Sequence, residues 1–116
     1  MKKNTKTLEL EINLLHERIC SALADTKRIM ILYLLNEKDM FVNDISDALD
    51  TPQSTISRHL RVLRERNLVA TERRGTAVLY SMSDDRIIQV LDLMRAILND
   101  QIQAEAAITK SIQNSK

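Results

Sequence analysis

From residue 7 to residue 23 the apolar side chains Leu8, Ile12, Leu15, Ile19 and Leu23 recur at spacings of 4, 3, 4 and 4, which stacks them along one face of a helix. Asp25 or Thr26 can cap a second helix, in which Ile29, Ile31, Leu32, Leu34 and Leu35 are apolar nearly all round. That pattern suits a buried helix ending near Asn36. Met40, Phe41 and Val42 then read as a short extended piece, and Asn43 can cap a third helix that buries Ile45, Ala48 and Leu49. The run Asp50-Thr51-Pro52-Gln53 breaks the period. Thr51 is the expected N-cap of a fourth helix and Pro52 its first residue, where a missing N–H costs nothing. This helix turns Ile56, Leu60 and Leu63 inward and runs to about Asn67.

The period then changes from helical to alternating. Residues 68–73 and 76–82, rich in β-branched and aromatic positions, flank Arg74-Gly75 and predict a β-hairpin. Gly75 supplies the positive φ of a tight turn. Ser83 can cap a last helix over about 84–109, where Ile87, Leu91, Met94, Leu98 and Ile102 repeat at 4, 3, 4 and 4. The expected fold is mainly α with a β-hairpin wing: helix-helix-strand-helix-helix-hairpin-helix, a winged helix-turn-helix. At 116 residues it reads as a single domain, residues 1–116.

Composition sharpens this picture. One glycine and one proline stand where average usage would give about eight and about six, so helix should dominate. A net charge of +1 says nothing by itself, but its distribution does. Residues 1–50 carry 7 basic and 9 acidic groups, residues 51–83 carry 6 and 2, and residues 84–116 carry 4 and 5. The positive charge is one central block. Cys20 is the single cysteine, so no intramolecular disulfide can form, and a reducing cytoplasmic location is expected. The basic start leads into an acid-dotted stretch, and no apolar run approaches the length of a membrane span or a secretory h-region.

The fourth helix carries the candidate chemistry. With Ile56, Leu60 and Leu63 inward, the outward positions are Gln53, Ser54, Ser57, Arg58, Arg61 and Arg64. DNA recognition needs both of these kinds of group: short polar side chains at a helix start, reaching base edges, and cations farther along, holding phosphates. Gln53 can pair with adenine and Arg58 or Arg61 with guanine, while Ser54, Thr55 and Ser57 suit phosphate or backbone contacts. His59 lies close to the inward stripe and is expected to pack and hydrogen-bond. Arg73 and Arg74 at the hairpin tip can reach the flanking backbone or the minor groove. A solvated arginine face is the plainer reading of any one of these residues. Six arginines against two acids, a short turn, a proline start and a glycine-tipped hairpin together favour a reader of double-stranded DNA, with its reading head from about Asn43 to Met82.

The stretches Val42-Asn43-Asp44-Ile45-Ser46-Asp47-Ala48-Leu49 and Thr51-Pro52-Gln53-Ser54-Thr55-Ile56-Ser57-Arg58-His59-Leu60-Arg61-Val62-Leu63 resemble the helix-turn-helix of the ArsR/SmtB repressors. The resemblance extends upstream through Ala22-Leu23-Ala24-Asp25-Thr26-Lys27-Arg28-Ile29 and downstream through the wing to Tyr80-Ser81-Met82, about 60 of 116 residues. It implies a homodimeric transcriptional repressor that occupies an operator, expected to be palindromic, and leaves it when an inducer binds. The terminal helices, about 7–24 and 84–109, support a dimer independently, because their stripes exceed what one small domain buries. Leu8, Ile12, Leu15, Ile19, Leu91, Met94, Leu98 and Ile102 are the expected interface.

The inducer is not legible. Many relatives sense metals through paired cysteines on the third helix or through aspartate and histidine on the last. Here residues 39–45 hold no thiol, and Asp84, Asp85, Asp92, Asp100 and Glu105 have no histidine beside them. Carboxylates alone suit zinc and thiophilic metals poorly, so neither a metal nor a cofactor is assigned. Cys20 lies four residues after His16, and a thiol- or metal-responsive site across a dimer is conceivable; a small packed hydrophobe is the commoner role of a free cysteine. Met30, Met40, Met82 and Met94 read as packing. An enzyme is not indicated, since no phosphate-binding glycine loop or nucleophile elbow is present. The better rival is a winged helix that binds protein instead of DNA.

Overall fold

The computed structural model describes residues 4–115. Its elements follow the order α1 (Thr5–Leu15), α2 (Thr26–Glu37), β1 (Met40–Phe41), α3 (Val42–Leu49), α4 (Gln53–Glu65), β2 (Val69–Arg74), β3 (Ala77–Met82) and α5 (Arg86–Asn114). One widened π turn, His16–Cys20, follows α1 directly, closed by Ser21 N–H donating to the His16 carbonyl at 2.9 Å. The chain separates into two compact units, one ending at Asp84 and the other beginning at Asp85. No helix among the described residues is long and apolar enough to cross a membrane.

In the first unit the largest fully enclosed side chains are Ile31 and Leu32 of α2, Ile45 of α3, and Ile56, Leu60 and Leu63 of α4. On α4 these residues sit at helical spacing and turn one stripe inward, whereas α2 is buried or half-buried nearly all round. Asp25 caps α2, its carboxylate accepting from Lys27 N–H at 2.8 Å and Arg28 N–H at 3.4 Å. The three strands lie in the order β1-β3-β2, all antiparallel, with Met40 opposite Tyr80 and Thr71 also opposite Tyr80 from the other side.

Several boundaries differ from expectation. The first helix does not run regularly to residue 24; it passes into the π turn after Leu15. Asn43 does not cap α3. The helix begins at Val42, and Asp44 reaches back to accept from Phe41 N–H at 3.3 Å, which satisfies the free donor one residue earlier. Ala48 is exposed and Ser46 buried in its stead, its hydroxyl donating to the Thr51 carbonyl. Thr51 does not cap α4 either: its hydroxyl donates to the Leu49 carbonyl at 2.9 Å, and the Pro52 carbonyl opens the helix by accepting from Thr55 and Ile56. The α4 helix stops at Glu65 because Asn67 takes a left-handed φ of 62°, letting Leu68 N–H bond to the Leu63 carbonyl at 2.9 Å.

The hairpin turns on Gly75-Thr76, one residue later than Arg74-Gly75, since Arg74 still pairs with Ala77. Gly75, with φ 63°, is the first of two loop residues, the place where a two-residue hairpin loop takes glycine. Ser83 does not start the last helix; its N–H is committed to the Leu68 carbonyl, and α5 starts at Arg86. No glycine or proline follows residue 109, and α5 continues past it to Asn114. On α5, Leu91 and Ile88 are buried, at 3% and 6% exposed.

Candidate nucleic-acid interface

The joint between α3 and α4 is built from its own hydrogen bonds. Asp50 adopts a left-handed φ of 49°, which lets Thr51 N–H bond to the Ser46 carbonyl at 3.1 Å, while the Ser46 and Thr51 hydroxyls satisfy carbonyls on the same turn. Ser46 and Thr51 are buried, so the turn is fixed from inside. It sets α4 with Ile56, Leu60 and Leu63 wholly enclosed and Gln53, Ser54, Ser57, Arg58, Arg61 and Arg64 exposed. Thr55 is half-buried and accepts from Arg58 Nη2 at 3.4 Å, so it backs an arginine and faces solvent only in part. No side chain caps the start of α4, whose first N–H groups and positive dipole end are left for an anion.

The wing places Arg73, Arg74, Gly75 and Thr76 in solvent at its tip. Arg73 and Arg74 are not equivalent. Arg74 Nε donates to Glu72 Oε2 at 2.8 Å, and the hydrogen bond and charge of Arg74 hold Glu72 below the usual carboxylate range while the same bond raises Arg74. Arg74 thus meets any partner with its charge already balanced. Between α4 and the wing lies an open cleft of about 410 Å³ lined by Phe41, Val42, Asn43, Gln53, Ser57, Thr76, Ala77, Val78 and Tyr80. Asn43, Thr76 and Tyr80 were not among the expected site residues. Only the pairing of β1 with β3, a contact across about forty residues, brings the start of α3 beside the wing, and local sequence carries no signal for it. Arg66 caps α4 half-buried, with no described partner for its Nε, and stays off the exposed face.

The sequence model of the family described as "Bacterial regulatory protein, arsR family" matches residues 25–71. The nodulation protein NolR of Rhizobium meliloti is 36% identical over 84 residues, 72% of this chain and 69% of that protein. This chain belongs to the arsR family. The HTH-type transcriptional regulator NmtR of Mycobacterium tuberculosis is 41% identical over 71 residues, 61% of this chain and 59% of that protein. The crystal structure of NolR from Sinorhizobium fredii superposes with a TM-score of 0.68 at 33% identity, covering 84% of this chain and 94% of that one. The protein is therefore an ArsR-family transcriptional regulator on a winged helix-turn-helix, and the matched span includes all of α3 and α4.

The apolar stripes of this regulator lie outside the matched span. On α1, Leu8, Ile12 and Leu15 are 49%, 49% and 43% exposed, and Ile19 on the π turn is half-buried. On α5, Met94, Leu98 and Ile102 are about half exposed, joined by Val90, Leu93 and Ile97. His16 and Cys20 are both exposed on the π turn, and the thiol is free.

Proposed function

We propose that this ArsR-family regulator is a homodimeric repressor whose α4 helices enter successive major grooves of a palindromic operator. The observation that carries this reading is the division of α4: three side chains fully enclosed on one face, and glutamine, serines and three arginines in solvent on the other, with one carboxylate, Glu65, at the last residue of the helix. Gln53, at the uncapped start, reads a base edge; Arg58, Arg61 and Arg64 hold phosphates or guanine; Ser54, Thr55 and Ser57 fix the approach. Arg73 leads the wing, with Arg74 behind it in its ion pair. The open apolar side chains of α1 and α5 support a second copy as the cover, since a lone chain leaves Leu8, Ile12, Met94, Leu98 and Ile102 in water.

Titration of the purified protein against a labelled fragment of its own upstream DNA at several salt concentrations tests the reading. Binding should weaken with a log-log slope of about −0.9 for each phosphate neutralised. A flat salt response, or no binding, would favour a winged helix that docks on protein.

A further inference from the structure

One guanidinium ties the recognition helix to the first two helices. Arg28, in the first turn of α2, donates from Nε to the Ala22 carbonyl at 2.7 Å and from Nη2 to the Ser21 carbonyl at 3.3 Å. These carbonyls lie just past the π turn that follows α1. The remaining nitrogen, Nη1, stands 3.4 Å from Nδ1 of His59 on α4. On the other side of the same ring, Nε2 is 3.9 Å from Oδ1 of Asp25, and only 16% of the imidazole side chain is exposed. His59 is thus held between a cation in the first turn of α2 and an anion at its N-cap.

Arginine has donors and no acceptor, so its contact with Nδ1 requires a lone pair there. The neutral ring must then carry its proton on Nε2, toward Asp25. A second proton on Nδ1 would set N–H against N–H and cation against cation, while the new imidazolium gains attraction to Asp25. Burial opposes the charge of Asp25, but the N–H groups of Lys27 and Arg28 and the nearness of His59 and Arg28 outweigh it and hold the carboxyl below its ordinary range. The carboxylate of Asp25 is therefore ionised at neutral pH. Among the described residues no other carboxylate competes for the ring: Asp44 and Asp47 of α3 and Asp50 just after it are not within ion-pair distance of it, and Glu72 of β2 is paired with Arg74.

We propose that Arg28 is a positioning residue for the recognition helix, acting through neutral His59, and that protonation of His59 releases α4 and weakens operator binding. This rests on α4 being the DNA-reading helix. Because the same guanidinium holds Ser21 and Ala22, the setting of α4 is also linked to the end of the N-terminal helix.

The test compares wild type, His59→Gln, Arg28→Lys and His16→Gln on the labelled upstream fragment at about pH 8 and about pH 5.5, at constant ionic strength. Glutamine keeps an acceptor for Arg28 without titrating, and His16 is the only other histidine. Wild type and His16→Gln should lose about five- to tenfold in affinity on acidification, the scale of one hydrogen bond. His59→Gln should change little, and Arg28→Lys should bind more weakly than wild type already at the higher pH. A His59→Gln profile that tracks wild type, or an Arg28→Lys affinity equal to wild type, would overturn the proposal. The imidazole 15N shifts of the free protein give a readout independent of DNA: an unprotonated Nδ1 at about pH 8 is expected, and a proton there would overturn it. Failure of wild type to bind at about pH 8 would instead remove the DNA reading, and this proposal with it.

Discussion

Glu72→Gln should make this regulator bind DNA more tightly, against the expectation for an exposed residue with no contact to the core. Glu72 is one of two acids in the basic block of residues 51–83, and it lies 2.8 Å from Arg74 at the wing tip. The carboxylate is ionised at neutral pH, and its hydrogen bond and ion pair with Arg74 make the wing a balanced pair beside Arg73. Replacing the carboxylate with an amide frees one cation for one phosphate. The slope of log K against log salt should steepen by about 0.9, which, carried from a 1 M reference to 0.15 M salt, amounts to about fivefold tighter binding. Fluorescence anisotropy on the upstream fragment across a salt series reads both quantities. The gain should vanish in the double variant Glu72→Gln/Arg74→Ala, which tests whether it runs through Arg74. An unchanged slope would refute the reasoning, because it would mean that the wing pair does not meet the phosphate backbone.

Leu60→Ala removes a fully enclosed side chain from the inner face of α4 and should cost about 2–5 kcal/mol in urea unfolding, with DNA affinity lost only as folded protein is lost. Asp25→Ala removes the cap of α2 and should cost about 1 kcal/mol near neutral pH. Because the carboxyl of Asp25 is held below its unfolded value, its stabilisation is present above the ordinary carboxylate range and lost as pH falls through the folded value, so the variant and wild-type stability curves should converge in acid. Gln53→Ala should relax preference at one base position, worth about 1–3 kcal/mol of discrimination, while Arg61→Ala should weaken all sequences alike and flatten the salt slope by about 0.9; equal losses on specific and random DNA for both would remove that division of roles.

The parts of the fold legible in the sequence are those set by local period. Ile56, Leu60 and Leu63 at spacings of four and three mark the inner face of α4, and so fix its outer face by subtraction. Gly75 marks the wing because few other residues take its φ. The helix ends were legible only to within a few residues, for a physical reason at each. Thr51 and Asn43 are good capping residues, but competing local bonds take the Thr51 hydroxyl to the Leu49 carbonyl and let Asp44 serve Phe41 from inside the helix. The cleft beside the wing and the Arg28–His59 contact, 31 residues apart in the chain, depend on strand pairing and helix packing that no local pattern encodes.

Hydroxyl-radical footprinting of the regulator on its own upstream DNA tests the central claim most directly. Two protected patches about ten base pairs apart and related by a dyad are predicted, both lost together in Arg58→Ala/Arg61→Ala. A single asymmetric patch, or protection that survives the loss of both arginines, would contradict a dimer that reads DNA through α4.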